Sequence, residues 1–219
     1  MNGLVQYGIG RGALAGTAVV DTDQANPAPV SVDQNQLRDR LVGWIKAGDA
    51  PEPAVNESNR LYFIFPPSTT QLTRTDINDP FCGYHDSWRY NDTSNSNDLF
   101  WGTVVTMGSA GQPAQRFFWN LSACVGHEIS EACSDRDGLG YKSANGCEIG
   151  DLCETKDFFT YGSWIVEQYW SNWDSACLHG DNPVSFRRFA NAIGFDVNHG
   201  LKKLGTPKVN IEYIASRMR

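Results

Sequence analysis

Long apolar runs are missing from this chain. No stretch approaches about 18 consecutive apolar residues, so no transmembrane helix and no membrane insertion are expected. The first residues, MNGLVQYGIGRGALAG, have no basic segment leading into an apolar one and do not read as a signal peptide. If the chain is secreted, Met1 begins its mature form. Positive charge is in short supply: 18 Lys and Arg face 25 Asp and Glu, a net charge of −7 with a pI near 5.0. Nucleic acid, which demands a basic footprint, is therefore not an expected partner. There is no CxxC pair, which argues against a zinc ribbon, and no GxSxG, which leaves a serine α/β-hydrolase without support. GIGRG (8–12) lacks the Lys-Ser/Thr of a phosphate-binding loop and reads as a turn. Neither an internal repeat nor a long linker divides the chain.

What is present is a chain of 219 residues, long enough to bury a core unaided. A hydrophobic share of 41% excludes disorder and collagen-like structure. Six cysteines nevertheless stand at 82, 124, 133, 147, 153 and 177. Their even number favours disulfides and a secreted, extracellular location, with buried free thiols in a cytosolic protein as the alternative. Spacing alone selects no connectivity.

Residues 5–9 and 16–20 read as strands around the Gly-rich turn. Asp33 reads as the N-cap of a helix to about residue 46, because Leu37, Leu41, Trp44 and Ile45 recur on one helical face. LYFIF (61–65), closed by Pro66-Pro67, is a short buried strand, and FCGYHD (81–86) is a compact group read as a turn. FWGTVVT (100–106) is the next strand, followed by a helix over about 115–132. Residues 134–160 are loop-rich and acidic, 163–170 read as a strand, and further helices are placed near 185 and 211–218. This order predicts an α/β (α+β) fold with a mixed sheet: one domain over residues 1–180, and a helical extension over 181–219 packed on it. Trp88, Tyr90 and Trp101 either pack in the core or line a cleft.

The sharpest local feature is GHEISE (126–131). On a helix His127 and Glu131 share a face one turn apart and can grip one cation. Glu128 sits where HExxH zinc peptidases carry the general base, the group that takes a proton from a water the metal has acidified. A carboxylate in place of the second His still allows zinc and admits calcium or manganese. A third ligand is sought first at Glu148, then Asp151, then Asp137. The competing reading is a solvated His–Glu ion pair. Against it, residues 127–157 hold eight acidic and three basic side chains, an excess that repels itself unless solvated or cation-bound. His85, beside Cys82, is a further ligand, a donor to substrate, or a plain loop histidine.

FCGYH (81–85), GHEISEACSD (126–135), CEIGDLC (147–153) and YWSNWDSAC (169–177) together resemble a family of secreted bacterial and fungal proteins. Its members carry a CGYH-like turn, a helix reading HE(L/Y)AEAxTDP, then EIGDxC and a W-S-N-x-x-x-x-C ending. Plant EXORDIUM-like (phosphate-induced) proteins, linked to cell-wall growth, share this order. YGIGRGALAGTAVVD (7–21) and LYFIFPP (61–67) are similar too, so the likeness spans about residues 5–178. It implies a secreted, disulfide-bearing α/β domain with a zincin-like helix, and it favours Glu148 and Asp151 over Asp137. The family ending implies a Cys153–Cys177 bond, which Cys82–Cys124 and Cys133–Cys147 accompany as guesses. Where the family has Thr-Asp-Pro, this chain has Ser134-Asp135-Arg136.

The expectation is a secreted metal-dependent hydrolase, a zincin-like peptidase acting on a peptide or cell-wall-associated substrate. His127, Glu131, Glu148 and Asp151 are the metal candidates, zinc first and calcium second. Glu128 is the general base, and His85 polarises the substrate carbonyl. The alternative is a non-catalytic extracellular, cell-wall-associated binding domain with a structural calcium or no metal.

Overall fold

A computed structural model describes residue 7 and residues 13–20, 29–53, 60–74, 81–89, 98–104, 114–135, 138–154, 158–161, 164–172 and 175–178. The proposed extension over 181–219, Asp137 and Tyr90 lie outside these residues. The fold is mixed α/β, with small sheets, two long helices and two disulfides.

Strand β1 (Ser31–Asp33) runs directly into helix α1 (Gln34–Ala47). The start of α1 is written locally. Asp33 Oδ1 accepts from the Gln36 backbone N–H at 2.8 Å, and Gln36 Oε1 accepts from the Asp33 N–H at 3.0 Å. This reciprocal pair satisfies two orphan donors of the first turn. Gly48, at φ 83°, ends the helix in the left-handed region. Leu37, Leu41 and Ile45 form the buried stripe.

A three-stranded sheet lies beneath that stripe, in the order β2 (Leu61–Ile64), β5 (Asp98–Val104), β4 (Gly83–Arg89). β2 pairs parallel and β4 antiparallel to β5. A separate parallel pair joins β1 to β3 (Gln71–Thr73). Strand alternation divides the faces of the three-stranded sheet. Tyr62, Tyr84, Leu99 and Trp101 pack with Val32, Leu72 and the α1 stripe as one core. His85 and Gly83 stand on the opposite face, towards helix α2 (Ala114–Ser134), which packs on β4 and β5. The Cys82–Cys124 disulfide ties the start of β4 to α2.

Beyond α2 the chain forms a one-turn 3-10 helix (Asp151–Cys153) and two small hairpins. These pair β6 (Phe159–Tyr161) with β7 (Trp164–Val166) and β8 (Tyr169–Ser171) with β9 (Ala176–Leu178). Cys153–Cys177 staples the 3-10 turn to β9.

Several expectations need correction. Residues 13–20 include no strand, and Val19 is 96% exposed. An apolar run without a ladder partner gains nothing from extending, and none pairs with it among the described residues. FCGYHD is not a turn: from Gly83 onward it is β4, in register with β5 over seven residues. The strand expected over 163–170 is broken at Glu167 and Gln168 into β7 and β8. Trp101 is fully buried in the core rather than in a cleft, and Trp88 sits on the α1 side, with the Arg38 guanidinium 4.0 Å from its ring. Cys133 and Cys147 are free thiols, not a pair. Cys133 is exposed on α2, while Cys147 is held in a tight turn by Ser143.

Candidate metal centre

Helix α2, strand β4 and the loop over residues 147–153 enclose a cavity of about 400 Å³. Residues far apart in sequence meet there. His127, Glu128 and Glu131 come from α2, His85 from β4, Glu148 and Asp151 from the loop, and Glu167 from the break after β7. Six of the seven side chains that the sequence nominates for catalysis or metal binding therefore line one cavity, the seventh, Asp137, lying outside the described residues.

Glu131 is the hub. It is 3% exposed, and its two oxygens do different work. Oε1 accepts from the backbone N–H groups of Gly150 and Asp151, both at 3.1 Å, and so fastens the loop to the helix. Oε2 lies 3.2 Å from His127 Nε2 and 4.0 Å from His85 Nδ1. Asp151 Oδ1 approaches the same His127 nitrogen at 3.6 Å. On the far side, His85 Nδ1 meets Glu128 Oε2 at 3.3 Å and His85 Nε2 meets Glu148 Oε1 at 3.5 Å. Two trios, His127–Glu128–Glu131 and His85–Glu131–Glu148, each bring three donor atoms within 4.8 Å of one another.

The loop is held from several directions. Ile149 is fully buried beside Tyr169, and its carbonyl accepts from Trp170 N at 2.8 Å. Asp151 Oδ2 accepts from Glu148 N at 3.1 Å. At the end of α2, Asp135 is buried, accepts from Gly140 N and pairs with Lys142 Nζ at 3.1 Å. It ties the end of the helix to residues 140 and 142.

Two glycines allow the close approach. A Cβ on Gly83 would stand 2.6 Å from the Thr103 carbonyl oxygen and 2.8 Å from Glu128 Cγ. One on Gly150 would stand 2.6 Å from Glu131 Oε1 and 2.8 Å from His127 Cε1. Neither space admits a methyl group without displacing the site.

Charge dominates the chemistry. Burial works against protonating His85, yet hydrogen bonds to Glu128 and Glu148 outweigh it and raise the imidazole to about 10. His127 is also raised: burial opposes the charge, but Asp151, Glu131 and Glu167 prevail. Asp151 is lowered, chiefly by its bond to His127. Glu128 is raised, because burial outweighs its contacts with His85 and His127. Two imidazoles thus stand among five carboxylates. His127 Nε2 in particular faces two carboxylate oxygens, an arrangement that needs a positive centre at that nitrogen, a proton or a metal ion.

Glu167 is the residue that sequence reading missed. Its Oε2 lies 2.7 Å from His127 Nδ1. The available signal was a lone acid inside the aromatic and aliphatic run WIVEQYW (164–170). No family model matches the chain, and neither a curated protein nor a solved structure does. Among the described residues, no helix is long and apolar enough to cross a membrane.

Proposed function

We propose that the chain is a zincin-like, metal-dependent hydrolase of the EXORDIUM-related secreted group, cleaving peptide or cell-wall-associated material outside the cell. The observation that carries this reading is the pair of carboxylate oxygens, from Glu131 and Asp151, facing His127 Nε2. His127, Glu131 and Glu148 or Asp151 would hold the ion. The mixed imidazole and carboxylate donors suit zinc, whereas calcium takes oxygen alone. A bound divalent ion supplies Lewis acidity, polarising a carbonyl and making water a stronger acid.

Glu128 shares the cavity without being needed to hold the ion. Burial raises its affinity for a proton, which suits a group that accepts a proton from water and returns it to a leaving amine. His85, facing Glu128 across the cavity, either donates to the oxygen that gains negative charge or completes the metal shell. The two roles part under substitution. If His85 is a ligand, His85→Asn weakens zinc binding; if it is a donor, that variant spares binding and lowers turnover.

The test is to strip the protein with chelator, reload it with zinc, calcium or manganese one at a time, and measure metal content. Digestion of a quenched-fluorescent peptide library follows. One zinc per chain is expected, with cleavage by the wild type and none by Glu128→Gln, whose zinc content stays unchanged. Failure to retain zinc, or full activity in Glu128→Gln, overturns the proposal.

A further inference from the structure

We infer that Glu167 is a positioning residue that holds the His127 imidazole in the one tautomer and orientation able to present Nε2 to a metal. The inference rests on the metal reading above and adds to it a residue outside the helix and loop motifs.

An ionised carboxylate only accepts hydrogen bonds, so at 2.7 Å from Glu167 Oε2 the proton must sit on His127 Nδ1. In a neutral imidazole that places the lone pair on Nε2, the nitrogen turned towards Glu131 Oε2 and Asp151 Oδ1. A carboxylate behind the ring fixes the tautomer and makes the ligating nitrogen a better donor, and metal-binding histidines regularly carry such a partner.

Glu167 reaches that place by a second device on α2. Ser122, buried, donates from Oγ to Ile165 O at 2.9 Å and accepts from Ile165 N at 3.1 Å. This locks β7 against the helix two residues before Glu167. Gly126 lies beside Val166, where a Cβ would stand in ordinary van der Waals contact, 3.5 Å from Val166 Cγ1. The chain then leaves the ladder, and Glu167 turns to His127. The break between β7 and β8 is therefore the feature that delivers the carboxylate.

A purely structural role predicts something else: loss of Glu167 would lower the stability of the metal-free protein and leave zinc affinity alone. The experiment measures zinc affinity by competition with a chromophoric chelator in wild type, His127→Ala, Glu167→Ala and Glu167→Gln. A cooperative unfolding transition confirms that each is folded. Glu167→Ala is expected to bind zinc about 10–100-fold more weakly. Glu167→Gln, whose amide oxygen still accepts from Nδ1–H, recovers most of that loss. Should Glu167→Ala not fold, Glu167→Met, of similar volume and without an oxygen acceptor, takes its place against Gln. Zinc affinity unchanged in Glu167→Ala, or equally weak in Ala and Gln, overturns the positioning role. If the wild type binds no zinc, or His127→Ala binds it as well as wild type, the metal reading itself fails. A drop in His127→Ala without one in Glu167→Ala sinks only the positioning role.

Discussion

Replacing Glu131 separates its two duties. Oε1 receives two backbone N–H groups from the loop, both at 3.1 Å, and Oε2 faces His127. Glu131→Ala removes both loop bonds and strands the Gly150 donor in a buried position. Hydrogen bonds to a neutral acceptor contribute about 0.5–1.5 kcal/mol each, so the two that an amide oxygen at this position keeps and Ala loses amount to about 2 kcal/mol. Glu131→Gln keeps a carbonyl oxygen for the same two donors while discarding the charge. Removing the charge also relieves repulsion from the neighbouring carboxylates, and it does so equally in both variants. The difference between the two is the loop bonds together with the methylene that Ala removes from this buried site, about 0.8 kcal/mol. In urea unfolding of chelator-treated protein, Glu131→Ala should therefore be about 3 kcal/mol less stable than Glu131→Gln. Both should lose high-affinity zinc binding. A difference below about 1 kcal/mol would refute the claim that Glu131 fastens the loop to the helix.

Other expectations follow from the same geometry. His85, at about 10 in the folded metal-free protein against 6.5 ordinarily, adds stability that is complete below the lower value and lost as pH rises through the upper one. Unfolding free energy of chelator-treated protein should thus fall between pH 7 and about pH 10, with a shallower fall in His85→Gln; a flat wild-type profile contradicts this. Gly83→Ala forces a methyl group against the backbone oxygen of Thr103 and against Glu128, at a cost of about 1–3 kcal/mol by thermal or urea unfolding; a neutral result refutes the close approach. Thiol titration in denaturant, without reductant, should find two free cysteines per chain, Cys133 and Cys147; finding none would show that they pair after all.

The parts of the fold legible in the sequence are those whose determinants are local. Helix α1 carries its own cap at Asp33 and its own stripe at Leu37, Leu41 and Ile45. Helix α2 declares itself by length, and β5 by its apolar run. The metal candidates on α2 were legible because four-residue spacing on a helix is a geometric statement in itself. What was missed depends on distant partners. Gly83, Tyr84, His85 and Asp86 look like a turn because glycine and aspartate favour turns, yet pairing with β5 draws them into a strand. Gly83 is there to make room for Glu128, not to bend the chain. Glu167 looked like one more residue of a strand, because its partner His127 lies 40 positions away. Residues 16–20 looked like a strand by composition, and composition supplies no ladder partner.

The central claim is that His127 and the carboxylates of α2 and the loop bind a transition-metal ion together. X-ray absorption fine structure at the zinc edge, on protein stripped and reloaded with one equivalent of zinc, reads the shell directly. Imidazole nitrogen at about 2.0–2.1 Å beside carboxylate oxygen, with the imidazole signal reduced in His127→Ala, is the predicted result. A shell of oxygen alone, or an imidazole signal that His127→Ala leaves unchanged, contradicts it.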